Sequence, residues 1–129
     1  MAVYLDSSAA VKLIVREVES DALGVWLRPH DVLTSSAVLR TELVRAVRRV
    51  EPGRLTDARV ALSTFTLRAI DDEILERAAD IAPDSIRSLD ALHLATALGL
   101  AEHINAIVTY DRRMIDGARA LGLPVASPT

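Results

Sequence analysis

The sequence predicts an α/β domain built on a parallel sheet, and three observations carry that prediction. Short β-prone runs alternate with segments of helical pattern along the whole chain. Two of those runs end on an aspartate, Asp6 after Val3-Tyr4-Leu5 and Asp111 after Val108-Thr109-Tyr110. In open parallel sheets, sites form beyond the carboxyl ends of strands, so two strand-end acids can meet there if their strands are neighbours. Finally, hydrophobic residues make up 50% of the chain but aromatics only 3%. The core must then be Ala, Leu, Val and Ile, which suits closely packed helices.

Taken in order, Val3-Tyr4-Leu5 is the first strand. Ser7 and Ser8 are placed to cap a helix running through Val15. A second helix spans residues 20–27 and carries Trp26, expected in the core or at an interface; Pro29 and His30 mark a turn. Val32-Leu33-Thr34 is a second strand. Residues 37–50 form a helix, with Leu39, Leu43, Ala46, Val47 and Val50 at helical spacing, broken by Pro52-Gly53. Another helix covers 56–64, a strand 66–70, and a helix opened by Asp72 runs to Ile81. Residues 88–100 are apolar nearly all round, which predicts a buried helix. A strand follows at 106–109, then a helix over 111–121 stopped by Gly122 and Pro124, and Val125 closes an edge strand.

Composition narrows the function classes. A chain of 129 residues suits one domain, residues 1–129, large enough to bury a core without staples. Mean hydropathy is +0.25, so either the core is large or a partner covers apolar surface. With no cysteine, disulfides and thiolate metal sites are excluded. Met1 leads straight into a strand-like run, and no apolar stretch approaches the roughly 18 residues needed to span a bilayer, so a cytoplasmic protein is expected. No glycine-rich phosphate loop is present, which argues against nucleoside triphosphate binding.

Four carboxylates carry the chemistry. Asp6 and Asp111 end strands, Asp90 lies near the start of an otherwise apolar helix, and Glu42 borders an apolar stripe in mid-helix. Singly, each has a plain reading as a turn residue, a cap or a solvated position. Together in one cleft they would repel, and some would stay protonated. A hard divalent cation removes that repulsion, and Mg²⁺ or Mn²⁺ prefers oxygen ligands. Such a site supports phosphodiester hydrolysis. Asp6 and Asp90 are the expected direct ligands; Glu42 and Asp111 bind a second metal, bind through water or position the nucleophile. Ser7 and Thr109 are candidate hydrogen-bond donors to these carboxylates. If four of the 18 acidic side chains sit on metal, the remainder is balanced by 15 Lys and Arg, nearly all Arg.

The same residues carry a resemblance. Tyr4-Leu5-Asp6-Ser7-Ser8-Ala9 resembles the opening strand and first acid of PIN domains, and Thr41-Glu42-Leu43 the second acid. Ser88-Leu89-Asp90-Ala91-Leu92-His93-Leu94-Ala95-Thr96-Ala97 is similar to the signature around the third acid in VapC toxins, and Thr109-Tyr110-Asp111 to the last. All four occur in family order over nearly the whole chain. The resemblance implies a three-layer α/β/α PIN-like fold around a short central parallel sheet. It also implies an Mg²⁺- or Mn²⁺-dependent endoribonuclease acting as the toxin of a type II toxin–antitoxin pair. Asp6, Glu42, Asp90 and Asp111 would be its catalytic and metal residues, RNA its substrate, a VapB-like antitoxin its partner, and a homodimer or toxin–antitoxin hetero-oligomer its assembly.

Several residues remain open. Arg87, Arg112 and Arg113 adjoin the acids, and Arg40, Arg45, Arg48 and Arg49 lie mostly off the apolar stripe of their helix. Either set contacts RNA phosphates or is plain solvated surface. Arg45 and Arg49, one turn apart, form a potential basic ridge. His93, three residues after Asp90, reads as a hydrogen-bonded structural histidine, with a general base or ligand as the alternative. Tyr4 and Tyr110 read as packing residues before stacking platforms.

A phosphatase of the haloacid dehalogenase type needs a second acid two residues after the first, where this chain has Ser8. A receiver domain needs extra acids beside the first strand-end acid. The remaining alternative is a non-catalytic PIN-like RNA-binding or partner-binding module.

Overall fold

A computed structural model describes residues 1–129. Five strands, β1 (Ala2–Leu5), β2 (Val32–Ser36), β3 (Phe65–Arg68), β4 (Ile104–Val108) and β5 (Val125–Ala126), form one sheet in the order β3-β2-β1-β4-β5. Every pairing is parallel. Seven α-helices flank it: α1 (Ser7–Ala10), α2 (Ser20–Leu27), α3 (Leu39–Val50), α4 (Leu55–Ser63), α5 (Asp72–Ala79), α6 (Ser88–Gly99) and α7 (Arg112–Ala120).

The strand order dictates the layers. The chain winds outward from β1 through β2 to β3, then returns to place β4 on the other side of β1. Right-handed crossovers in opposite directions put their helices on opposite faces. Strand alternation follows suit. Val3 and Leu5 point to a core shared with Ala9, Leu23, Leu39, Leu43, Val47, Ala58 and Leu62, from α1 to α4. Tyr4 points to the other core, with Leu94, Ala97, Ile107, Met114 and Ala118 of α6, β4 and α7. α5 packs along α6 through Ile74, Ala78, Ala91 and Ala95. The expected three-layer α/β/α arrangement is therefore present. The reversal of winding lies between β1 and β4, the place where open parallel sheets form a crevice at their carboxyl edge.

Local differences from the sequence reading have physical causes. The first helix does not run to Val15: α1 ends at Ala10 and tightens into a 3₁₀ turn over Val11–Leu13. There β-branched Val11, Ile14 and Val15 follow one another closely, and the Lys12 ammonium is drawn to Glu19 at 2.9 Å and Glu17 at 3.4 Å. Asp6, not Ser7 or Ser8, caps α1: its backbone is extended and its Oδ1 accepts from the Ala9 N–H at 3.1 Å. Trp26 is half-buried against the first core and stacks on His30, ring centroids 4.5 Å apart. Val50 and Leu89 stand exposed, although Leu43 and Leu94 in the same helices are fully buried.

The stop at Gly122 is as expected. Gly122 has φ +76°, the Gly122 N–H donates to Arg119 O and the Leu123 N–H to Ala118 O, a Schellman closure that satisfies the last carbonyls of α7. Apolar surface also remains. A recess of about 360 Å³ between α5 and α6 is lined by Leu75, Ala78, Ile81, Ile86 and Leu92 among others. No helix is long and apolar enough to cross a membrane.

Candidate active site

Asp6 leaves the end of β1 almost fully buried. Three donors surround its carboxylate. The Ser8 hydroxyl donates to Oδ1 at 2.6 Å beside the Ala9 N–H, and the Thr109 hydroxyl donates to Oδ2 at 2.5 Å. Ser8 and Thr109 lie 3.3 Å apart, but each has one proton and each has given it to Asp6. Both hydroxyl oxygens instead accept from the β4–α7 turn: Ser8 Oγ from the Tyr110 N–H at 2.9 Å, Thr109 Oγ1 from the Asp111 N–H at 3.2 Å. These contacts tie the ends of β1 and β4 together. Thr109 thus does what the sequence suggested, whereas Ser8 takes the part expected of Ser7. A serine two residues past a capping aspartate, inside the first helical turn, is the signal that distinguishes them.

Burial pushes the Asp6 carboxyl above the ordinary aspartate range, with the Ser8, Thr109 and Ala9 donors holding it part-way down. Asp90, in the first turn of α6, is also pushed up, first by burial, then by the negative charge of Asp111, and further by Asp6. The Arg87 guanidinium opposes that shift. Asp6, Asp90 and Asp111 thus share one electrostatic neighbourhood, and none of them is in an ion pair. Asp111 also caps α7 through the Arg113 N–H at 2.9 Å.

Glu42 is held differently. In the first turn of α3, its Oε1 lies 2.5 Å from His93 Nε2. His93 is buried in α6, and its Nδ1 lies 2.7 Å from the Tyr4 hydroxyl. An ionised Glu42 only accepts, so Nε2 carries a proton; the Tyr4 hydroxyl then donates to Nδ1 of a neutral ring. Burial pushes the Tyr4 phenol well up, so it remains a donor. His93 is therefore the hydrogen-bonded structural histidine that the sequence favoured, and its partner is a candidate site acid. Tyr4 is a packing residue as well as a donor. Tyr110 packs over Lys12, whose Nζ is 4.7 Å from the ring centroid, and donates to Pro128 O at 2.7 Å.

The four acids do not form a ready-made cage, because no three acidic or imidazole groups close on a single point. The donor set nevertheless suits a hard cation. Oδ1 of Asp6 has both lone pairs taken, while Oδ2 accepts one bond and keeps one free. Mg²⁺ is commonly held by one or two carboxylates, completed by water and substrate phosphate. Uncompensated negative charge around Asp6, Asp90 and Asp111 supplies the attraction.

A parallel sheet with acids gathered at its winding reversal defines an α/β domain with an acidic crevice at its carboxyl edge, and comparison supplies the family. The PIN domain family model matches residues 3–120. Ribonuclease VapC46 of Mycobacterium tuberculosis is 44% identical over 128 residues, covering 99% of this chain and 98% of its own. The chain belongs to the PIN domain family, among its VapC ribonucleases. The fold agrees. The crystal structure of M. tuberculosis VapC20, a sarcin–ricin loop cleaving toxin, superposes with a TM-score of 0.75 at 15% identity, covering 98% of this chain and 99% of that one. A chain of a toxin–antitoxin complex from Klebsiella pneumoniae gives 0.73 at 20% identity, covering 98% of each chain.

Proposed function

We propose that this single domain is a divalent-metal-dependent endoribonuclease, the toxin of a toxin–antitoxin pair, with Asp6, Glu42, Asp90 and Asp111 as its catalytic and metal-binding residues. The observation that carries the reading is that Asp90 lies within the field of both Asp111 and Asp6 beside the β1–β4 reversal, with no cationic side chain in an ion pair with any of the three. The 44% identity to a VapC ribonuclease supports RNA as the substrate, and the likeness to a chain of a toxin–antitoxin complex supports a VapB-like antitoxin partner.

In this reading Asp6 and Asp90 would hold Mg²⁺ or Mn²⁺. The bound ion supplies a water of lowered pKa and charge stabilisation on the scissile phosphate. Ser8 and Thr109 fix Asp6 and favour its ionised form by donating to it. Asp111, held by its own cap and by its N–H to Thr109, adds negative charge near Asp90. His93 fixes Glu42 through Nε2, and Tyr4 sets the tautomer that allows it.

The test is cleavage of total RNA by purified protein with Mn²⁺, with EDTA, and with Mn²⁺ for Asp6→Asn and Asp90→Asn. Cleavage only by wild type with metal is expected. Wild-type rates in both folded variants would defeat the assignment, and no cleavage of any RNA would favour a non-catalytic binding module.

A further inference from the structure

We infer that Arg45 and Arg49 of α3 form a phosphate-binding ridge that carries the RNA strand away from the acidic crevice; the inference rests on and deepens the ribonuclease reading. Helix geometry supports it first. At about 100° per residue, Arg45 and Arg49 lie within about 60° of Glu42 around the α3 axis, at rises of about 4.5 and 10.5 Å. Leu39, Leu43 and Val47, on the opposite flank of Glu42, are fully buried. The Glu42 carboxylate therefore sits on the border between core and a basic row that starts one turn beyond it.

The row is also a surface feature in its own right. Arg45, Arg48 and Arg49 alone line a cleft of about 290 Å³ with no apolar residue in it. All three are exposed and none is in an ion pair, so their guanidinium groups are free to bind, and unlike the other unpaired arginines they share one cleft. The favourable helix dipole accounts for Arg48 and Arg49 in the last turn, but not for their sharing a cleft with Arg45. A polyanion must reach an acidic crevice on a protein of net charge −3. Unpaired guanidinium forks that begin one turn beyond Glu42 offer the planar donors that phosphate oxygens accept.

The experiment measures binding apart from cleavage. A 5′-fluorescein single-stranded RNA of mixed sequence is titrated in EDTA, by anisotropy, at several salt concentrations. Each phosphate contact on a single strand contributes about 0.7 to the slope of log K against log salt. Arg45→Gln/Arg49→Gln should make the slope shallower by about 1.4 and weaken binding at low salt, with kcat unchanged and KM raised when Mn²⁺ is present. Arg28→Gln/Arg119→Gln changes net charge equally. Those residues end α2 and α7, which lead into strand N termini at the opposite edge, so that variant should leave the slope unchanged. An unchanged slope in the ridge variant, or an equal fall in the control, overturns the inference, whatever acidic protein the arginines prove to bind. A fall confined to the ridge variant in a protein that never cleaves RNA upholds the ridge and sinks the hydrolytic reading.

Discussion

Removing one hydroxyl, that of Thr109, should reveal how strongly hydrogen bonding favours the ionised form of Asp6. Thr109 is fully buried, its hydroxyl donates to Asp6 Oδ2 at 2.5 Å, and it accepts from the Asp111 N–H at 3.2 Å. Thr109→Val keeps the shape and deletes both contacts. A hydrogen bond to a charged group is worth about 1.5–3 kcal/mol, and Asp6 is too buried for water to replace the donor. Losing that donor pushes the buried Asp6 carboxyl further up. The sign follows. Asp6 already titrates above the ordinary 3.8, and the variant raises it again, so the loss belongs to the ionised form. It should be full above the variant's value, shrink as pH falls from there towards the wild-type value, and be gone below both. Urea unfolding of both proteins in EDTA across that range gives the difference, with equal m values expected. Equal stability at neutral pH, or a loss that does not shrink on acidification, would refute the reasoning.

Asp90→Asn should stabilise the metal-free protein at neutral pH. Burial and the charges of Asp111 and Asp6 raise the folded-state pKa, so wild type loses stability as pH rises from 3.8 through that raised value and the variant does not. Thermal unfolding against pH checks this, and a stability gap that is flat across the window would contradict it. Tyr4→Phe should cost about 1–3 kcal/mol, because His93 Nδ1 is left buried without its donor. Denaturant unfolding reads that cost, and a neutral substitution would mean that the Tyr4–His93–Glu42 chain does not form in solution.

Elements set by local pattern were legible in the sequence. The small and aliphatic residues of α6, the Gly122 stop and the strand preceding Asp6 all announce themselves through periodicity or backbone preference. The break after Ala10 was not legible, since it depends on where Lys12 finds its acids. Site residues divide in the same way. Asp6 and Asp111 could be placed at strand ends, but the adjacency of β1 and β4 is a choice of topology that no local segment encodes. Glu42 reads as a solvated helix position until α6 is packed against it and His93 arrives at its carboxylate. The signal was present in His93 itself, a polar residue in an apolar helix, which needs a buried partner somewhere.

The central claim is that carboxylates from β1, α6 and the β4–α7 turn gather on one divalent ion. An anomalous difference map from an Mn²⁺-soaked crystal tests it most directly. The account predicts a single strong peak in contact with Asp6 and Asp90, bordered by Asp111. A peak held elsewhere, or none in protein that cleaves RNA in the same buffer, would contradict it.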